Sequence, residues 1–462
     1  MMHRRQKNHD KPLLILIGIM VVTLICLAAV ALNMGEDLPK TQQDATIPTT
    51  PVTENTEPST EAPTEAPTQA PTEPAVTKVS TATIGATGDV LMHKPVITSG
   101  QTGSSYNFDY IFTYADDYYS SVDFAVANLE TTLASTTNGY SYSGYPTFNC
   151  PDDIVDALKN AGFDMLLTAN NHTYDTNKIG FQRTQQVIAE KGLPHIGTRP
   201  SLEDKNYLVV DINGIQVGMI NYTYNTGVSS SGAISLNGIP LSVENSQLIN
   251  NFSKDNLSAF YKKLEGEIQA MRSDGAEAIV LYIHWGEEYQ TKENSNQNAI
   301  AQQVCNMGVD VIVGNHPHVV QPVELLTNQN DSSKKTLCVY STGNAVSNQS
   351  YASHSNYYVE DGMFFNFTFA KYSDGTVLIE SARVIPTWVN RYTQGGTTKY
   401  QILCLDDTVD NWQAQMNLVA STLEKCQKSY NRTMGIVGDG TEEANEYFSS
   451  NQAAVESMLG VE

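Results

Sequence analysis

Two histidines, His316 and His318, stand on either side of a single proline just after a short apolar run. The run, residues 309–313, has the length and composition of a buried strand, and Gly314 interrupts it. Two imidazoles at this spacing past a strand end can converge on one point, and neutral imidazole is a preferred ligand for zinc, iron and similar ions. The pair therefore predicts part of a metal site, whose remaining ligands must come from elsewhere in the chain.

Four other strand-like runs also end in residues that commonly bind metals. These residues are Asp89, Glu130, Asn171 with His172, and His284. Ligands in α/β folds bind at loops past the carboxyl ends of strands, so residues far apart in sequence can share one site. Taken singly, each has an ordinary explanation, such as a turn aspartate, a surface glutamate, a capping asparagine or a buried histidine. A common site is favoured because every member of the set follows an apolar run.

The donor atoms of this set indicate which metal they suit. Carboxylates, an amide oxygen and imidazoles form a mixed oxygen and nitrogen set, which suits Mn, Fe or Zn better than Ca or Mg. The seven residues exceed what one tetrahedral zinc needs. Two divalent ions about 3.5–4 Å apart, with an oxygen held between them, would use them all.

Alternating strands and helices, beginning near Val79, are the elements that would position these residues. The strand-like runs before the candidate residues are 81–87, 123–127, 165–169, 278–283 and 309–313. Between them, residues 151–161 and 256–273 have the apolar periodicity of helices. Asn213-Gly214 has the sequence of a tight hairpin turn between two further strands. This alternation predicts an α/β fold with some hairpins.

Six motifs occur in an order that resembles a known family. In chain order they are TGDVLM, ANLETTL, TANNHTYDTNKIG, IHWGEEY, VGNHPHVVQP and YSTGN. The set resembles the CapA family, the proteins of poly-γ-glutamate capsule synthesis, which in turn resembles the calcineurin-like metallophosphoesterases. For residues 79–390 the resemblance implies a four-layer metallophosphoesterase-like fold, in which two packed β-sheets are flanked by helices.

The resemblance also implies a role for each residue at the strand ends. Those implied to bind metal are Asp89, Asn171, His284, His316 and His318, with Glu130 as the carboxylate that bridges two ions. His172 resembles the catalytic acid that protonates the leaving group.

The chain departs from the patterns of these families at three positions. Metallophosphoesterases begin with Asp-x-His, and Leu91 stands here in the place of that histidine. His93, two residues further on, is the histidine that could substitute for it. Asn315 occupies a position where CapA relatives often carry a further histidine, and Ala345 one where they usually carry phenylalanine. The first departure removes one expected ligand.

The two ends of the chain differ in composition from the middle. Residues 1–12 are basic and residues 13–33 almost entirely apolar, which predicts a single transmembrane anchor with a cytoplasmic tail and an extracellular main domain. A cleaved signal peptide is the alternative, because residues 29–31 resemble a cleavage site. Residues 34–78 are rich in Pro, Thr and Glu and predict a disordered linker. Residues 391–462 are predicted to be a partly helical C-terminal extension.

Charge and composition exclude some classes of protein. The formal net charge of −23 argues against a nucleic-acid partner, because phosphate contacts need clustered Lys and Arg. The six cysteines are dispersed, which favours buried or free thiols over a disulfide framework. Residues 171–173 form a glycosylation sequon on the predicted site, so a bacterial source fits better than a eukaryotic secretory route.

The resemblance implies a membrane-anchored protein of the bacterial cell surface that acts in synthesis or export of an anionic polymer such as poly-γ-glutamate. Its metal site would be a hydrolase or transferase centre, with phosphoester or amide bonds as targets. Its partners would be the cell membrane, other membrane proteins of capsule synthesis and the anionic polymer. Two alternatives stay open: a non-catalytic scaffold of the capsule machinery, and a general cell-surface metallophosphatase.

Overall fold

A computed structural model describes residues 76–406, 409–416 and 418–459, without the side chains of 409–410 and 454–459. The predicted tail at 1–12, the predicted anchor at 13–33 and nearly all of the predicted linker at 34–78 lie outside the described residues. Among the helices of the described part, none combines the length and the apolar composition needed to cross a bilayer.

The described residues form twenty β-strands, ten α-helices and two short 3₁₀ turns. The strands are β1 (Lys78–Val90), β2 (Gln101–Thr102), β3 (Ser105–Tyr106), β4 (Phe124–Leu129), β5 (Met165–Leu167), β6 (His195–Ile196), β7 (Leu208–Ile212), β8 (Ile215–Tyr224), β9 (Gly227–Val228), β10 (Ile234–Leu236), β11 (Ile239–Pro240), β12 (Asn251–Phe252), β13 (Ala278–His284), β14 (Val311–Asn315), β15 (Val323–Thr327), β16 (Lys335–Val339), β17 (Asn344–Val346), β18 (Asp361–Tyr372), β19 (Val377–Gln394) and β20 (Thr397–Cys404). The helices are α1 (Lys94–Ser99), α2 (Asp116–Tyr119), α3 (Asp153–Asn160), α4 (Asn177–Glu190), α5 (Val243–Gln247), α6 (Leu257–Ser273), α7 (Ser295–Asn306), α8 (Tyr351–His354), α9 (Val409–Met416) and α10 (Ala420–Leu459), and the 3₁₀ turns are Asp109–Ile111 and Tyr357–Glu360.

Two sheets contain most of these strands. The first has eight strands in the order β20-β19-β18-β1-β4-β5-β6, with β17 paired to the end of β1, and β1, β4, β5 and β6 run parallel. The second has seven strands in the order β12-β8-β13-β14-β16-β15, with β7 beside β8, and β12, β8, β13, β14 and β16 run parallel. The central parallel strands are buried along nearly their whole length, which explains their almost continuous apolar runs.

The inner faces of the two sheets share one apolar core. On β13, Val280 and Tyr282 point into a cluster that also contains Val126 of the first sheet. The alternate residues Ile279 and Leu281 point outward and pack against α6 and α7, as the two-residue period of a strand requires. Helix α3 covers the outer face of the first sheet in the same way. The structure therefore confirms a mixed α/β fold with sheets flanked by helices, and the five cysteines of the described residues are buried and free.

Two helices lead into the strands that end at the candidate site. Helix α6 has an apolar stripe at Phe260, Leu264 and Ile268, spaced by four residues, and it precedes β13. Helix α7 precedes β14 and starts at a capping box. There the side-chain oxygen of Asn294 accepts a hydrogen bond from the backbone N–H of Gln297. In return, the side-chain oxygen of Gln297 accepts a hydrogen bond from the backbone N–H of Asn294.

The domain boundary predicted at residue 390 falls inside β19, which runs from Val377 to Gln394. Both β19 and β20 pair within the first sheet, and side chains from both strands add to its apolar core. Helix α10 then packs against β15, β18 and β19. The side chain of Arg432 on this helix makes two hydrogen bonds of 2.6 Å to the buried Asp361 carboxylate of β18. Residues 391–404 thus form the end of β19, a turn and β20 of the first sheet. Helix α10 packs on that sheet and is hydrogen-bonded to it.

Candidate metal centre

The ends of five strands, taken from both sheets, lie close together. Strands β1, β4 and β5 lie side by side in the first sheet, and β13 and β14 in the second. The residues that close or follow these strands include Asp89, Glu130, Asn171, His172, His284, His316 and His318. All of them are buried. The structure therefore brings together all seven residues predicted from the sequence, some of them 229 positions apart.

Glu130 lies in the middle of this group. Its Oε1 is 3.6 Å from His284 Nε2 and 3.9 Å from the Nε2 atoms of both His172 and His318. Neither carboxylate oxygen has a hydrogen-bond donor among the described residues. Burial, followed by the negative charge of Asp89, raises the pKa of Glu130 well above its ordinary value. A buried carboxylate without a donor is costly, and a bound cation would remove that cost.

Two sets of side chains lie close enough together to hold a cation, and they share Glu130. One set is Glu130, His316 and His318, and the other is Asp89, Glu130 and His284. Within each set the ligand atoms lie within 4.8 Å of one another. In addition, the buried Nδ1 atom of His316 has no partner among the described residues. These unpartnered atoms fit a divalent metal, which would bind them directly.

Asp89 links the first sheet to the histidine segment of the second. Its Oδ1 accepts a 2.8 Å hydrogen bond from Asn128 Nδ2. Its Oδ2 lies 3.0 Å from His318 Nδ1 and accepts from the backbone N–H of His316 at 3.3 Å. Although burial acts to lower the pKa of His318, the hydrogen bond with Asp89 raises it above its ordinary value. Asn344 Oδ1, 3.2 Å from the same Nδ1, completes the set of contacts that orients this ring.

His284 and His316 are held as neutral bases. Burial, followed by the charge of neighbouring histidines, lowers the pKa of both well below the ordinary value. His284 Nε2 lies 2.7 Å from Asn171 Oδ1, and His316 Nε2 lies 3.2 Å from the Tyr224 hydroxyl. The backbone φ angles of His316 and His318, 99° and 56°, lie in the left-handed region, where strained residues often mark functional sites. Neutral imidazole is the form that binds metals.

His172 is held differently from the other histidines. Its Nδ1 lies 2.7 Å from Asp175 Oδ2, and its ring packs edge-to-face on Phe148 with the ring centroids 4.6 Å apart. A carboxylate on one ring nitrogen fixes the orientation and tautomer of an imidazole. The other nitrogen, Nε2, is the one that faces Glu130. This arrangement leaves Nε2 as the ring nitrogen that faces the centre.

Four residues of the centre were missed by the reasoning from sequence. They are Asn128, Asp175, Tyr224 and Asn344. Three of them stand inside the motifs ANLETTL, TANNHTYDTNKIG and YSTGN. Asn128 could have been found, because residues two apart in a strand share a face and it precedes Glu130 by two. Tyr224 carries no such signal, since it ends a strand that lacks a recognisable motif.

The positions where the chain departs from related patterns add no ligand. Leu91 is buried as part of the apolar interior. His93 Nδ1 lies 3.3 Å from the Leu91 carbonyl oxygen and 3.3 Å from the backbone nitrogen of Asn348, so it contacts the main chain. Burial, followed by the charge of a nearby histidine, lowers the pKa of His93 to about 4. Asn315 and Ala345 are both buried. Among the described residues, neither set that could hold a cation includes His93.

Comparison with known proteins identifies the family. Residues 83–349, more than half of the chain, match the model of the bacterial capsule synthesis protein PGA_cap. The chain is 28% identical over 272 residues to "Capsule biosynthesis protein CapA" of Bacillus anthracis. The aligned region covers 58% of this chain and 60% of that protein. It is 26% identical over 265 residues to "PGA biosynthesis protein CapA" of Bacillus subtilis (strain 168). That aligned region covers 57% of this chain and 62% of the relative. The matches thus span about three fifths of each relative. The chain belongs to the PGA_cap family of bacterial capsule synthesis proteins.

Proposed function

We propose that this protein acts at the bacterial cell surface in the synthesis or export of an anionic polymer, through a metal-dependent hydrolase or transferase centre. The family and the names of both relatives support a role in capsule synthesis. The two face-to-face sheets, with helices outside, support a four-layer metallophosphoesterase-like fold. Residues 13–33 would anchor the chain in the membrane beside other proteins of the capsule machinery.

The proposal rests on the buried carboxylate of Glu130, which has no donor among the described residues and belongs to both sets of ligands. A shared carboxylate is what a pair of divalent ions, Mn, Fe or Zn, would require. Asp89 and His284 would hold one ion, and His316 and His318 the other. Asn171, whose Oδ1 faces His284, would add an oxygen ligand.

Bound ions of this kind lower the pKa of a coordinated water towards 7 and stabilise charge on a reacting oxygen. The residue beside them that can move a proton is His172. With Nδ1–H donated to Asp175, its imidazolium would deliver a proton from Nε2 to the leaving group. The acidic surface of the protein repels polyanions, so an anionic phosphoester or amide substrate would be attracted only where metal charge offsets it.

One observation favours a non-catalytic scaffold as the second candidate. Leu91 occupies the place of a metal-binding histidine in metallophosphoesterases, and its side chain is buried. One of the two ions would therefore lack a ligand. A centre with a single structural ion would still stabilise the domain that other capsule proteins bind.

Metal analysis tests the proposed centre. The purified full chain is expected to contain one or two equivalents of a first-row divalent metal. Chelation should lower its melting temperature, because a ligand that binds only the folded state at 100 times its Kd stabilises by about 2.7 kcal/mol. Elemental analysis measures the metal content, and thermal unfolding with and without chelator measures the change in melting temperature. A chain that binds no metal, with a melting temperature that the chelator leaves unchanged, would contradict the proposal.

The placement at the cell surface has a separate test. A reporter that is active only outside the cytoplasm, fused after residue 79, is expected to be active in intact bacteria, because the basic residues before the apolar segment stay inside. The matched control deletes residues 13–33 and should abolish the signal. Equal signals from both fusions would contradict membrane-directed export.

A further inference from the structure

A small three-stranded sheet made of β9, β10 and β11 lies outside both main sheets. Its apolar side chains, including Ile234 and Leu236, pack with Tyr174 and Phe181 in a separate cluster. Asn245, in the helix α5 that follows, donates a 2.8 Å hydrogen bond to the Tyr174 hydroxyl. Tyr174 follows the candidate acid by two residues in the chain. The small sheet is therefore anchored on the segment that carries part of the candidate centre.

The turn between β10 and β11 points at the centre. Asn237 and Gly238 form a two-residue hairpin turn with φ angles of 46° and 74°, which an Asn-Gly pair adopts readily. Asn237 Oδ1 accepts a 2.9 Å hydrogen bond from Asn171 Nδ2. Asn237 Nδ2 lies 3.0 Å from His172 Nδ1 and 3.4 Å from its Nε2. One side chain of this hairpin thus contacts two neighbouring residues of the centre.

The contact with Asn171 decides which end of that carboxamide faces the centre. An amide can bind a metal only through its oxygen, because its NH₂ group is a donor without a free lone pair. Asn237 Oδ1 accepts a hydrogen bond from the NH₂ group of Asn171. The Asn171 oxygen therefore faces His284 and lies 2.7 Å from its Nε2. Rotation of the amide by 180° would leave the Asn237 oxygen against the Asn171 oxygen and would place the NH₂ group towards the metal site.

We propose that Asn237 is a positioning residue of the metal centre, which fixes the orientation of the Asn171 carboxamide so that its oxygen is presented to the metal. The inference rests on the proposed function, since it requires that the centre binds a metal. Residues that orient a metal ligand by hydrogen bonding to it typically contribute about 10–100-fold to metal affinity. The geometry therefore assigns a role in the site to a hairpin that belongs to neither main sheet.

The test measures metal affinity in full-chain variants by competition with a chromogenic chelator, using Mn²⁺ and Zn²⁺ as probes. Asn237→Gly keeps the turn, because glycine tolerates a positive φ, but it removes the side chain. Its affinity is expected to fall about 10–100-fold. Asn237→Asp keeps an oxygen for the Asn171 NH₂ group and should retain the affinity of the parent within a few-fold.

The chain supplies a matched control in Asn213, which forms the same kind of Asn-Gly turn between β7 and β8 with a φ of 53°. This turn lies at the opposite end of β8 from the centre, and its side chain donates to the carbonyl of Thr81. Asn213→Gly should leave metal affinity unchanged. An equal loss in the Asn213 and Asn237 variants would overturn the inference, because the effect would then be a general one on the fold.

A double-mutant cycle shows whether Asn237 acts through Asn171. In an Asn171→Ala background, Asn237→Gly is expected to cause no further loss, because the amide that it orients is gone. Fully additive losses would overturn the inference. A parent that binds metal, beside an Asn237→Gly variant of equal affinity, would refute the positioning role and leave the proposed function standing. A parent without metal would refute both.

Discussion

Replacing Glu130 with glutamine is expected to weaken metal binding and to stabilise the metal-free protein at the same time. Both carboxylate oxygens are buried without a donor among the described residues, so the metal-free protein carries an uncompensated polar group. Glutamine has nearly the same shape and no charge. At a pH above the folded pKa of Glu130, removing this buried charge is worth about 1–3 kcal/mol in the free energy of unfolding. Because both ligand sets share Glu130, metal affinity should fall by more than the roughly 10–100-fold that loss of an orienting partner causes.

The stability difference should also depend on pH in a defined direction. Burial, followed by the charge of Asp89, raises the pKa of Glu130 in the folded protein above that in the unfolded chain. The folded parent therefore holds its proton to higher pH than the unfolded parent, and its stability declines as the pH rises from about 4.3 through the folded pKa. Glutamine does not titrate there. The advantage of Glu130→Gln over the metal-free parent should consequently widen with rising pH, as measured by thermal unfolding in chelator.

Glu267 supplies a matched control for this experiment. Its carboxylate is also buried, but it accepts hydrogen bonds from Tyr222 and Asn206 and pairs with Lys263. Glu267→Gln should therefore destabilise the metal-free protein, the opposite sign to Glu130→Gln. If metal-free Glu130→Gln unfolds at a lower temperature than the parent, Glu130 has stabilising partners in solution, and the argument for a shared metal ligand fails.

Replacing His172 with alanine is expected to lower turnover by about 10²–10⁴-fold for substrates with poor leaving groups, while metal content stays unchanged. The reason is its position: Nδ1 is engaged by Asp175, and Nε2 faces the centre. An alkyl phosphoester needs a proton on its leaving oxygen, whereas a nitrophenyl ester does not. The loss should therefore shrink for the nitrophenyl ester. Asn171→Ala and His284→Ala should instead reduce metal affinity and affect both esters alike.

His195 provides the comparison for this second experiment, since it is a histidine of the same sheet that belongs to neither set of candidate ligands. His195→Ala should leave metal content and both rates as in the parent. A His172→Ala variant that loses metal as completely as His284→Ala would identify His172 as a ligand instead of an acid. Failure of the metal-loaded parent to cleave either phosphoester or an amide would favour the scaffold function.

Residue types and their order were sufficient to predict the α/β fold and to locate the candidate centre. Each of the predicted ligands follows an apolar run, and these runs become buried parallel strands, three in the first sheet and two in the second. Strands of this kind bind ligands at their carboxyl ends. Local chemistry therefore predicted that Asp89, Glu130 and His284 would meet, although no short-range signal connects them. The same local reasoning placed a boundary at residue 390, inside β19, because a strand that continues past a motif-rich region carries no motif of its own.

Only the tertiary structure decided which polar atoms of the centre lack partners and which residues stand behind the ligands. Asn213-Gly214 and Asn237-Gly238 are the same dipeptide in the same kind of turn, and nothing in their local sequence distinguishes them. The packing of β10 and β11 on Tyr174 brings Asn237 over a residue 66 positions earlier in the chain, whereas the other turn contacts the opposite end of the sheets. Turn chemistry is determined within four residues, but what a turn faces depends on long-range packing.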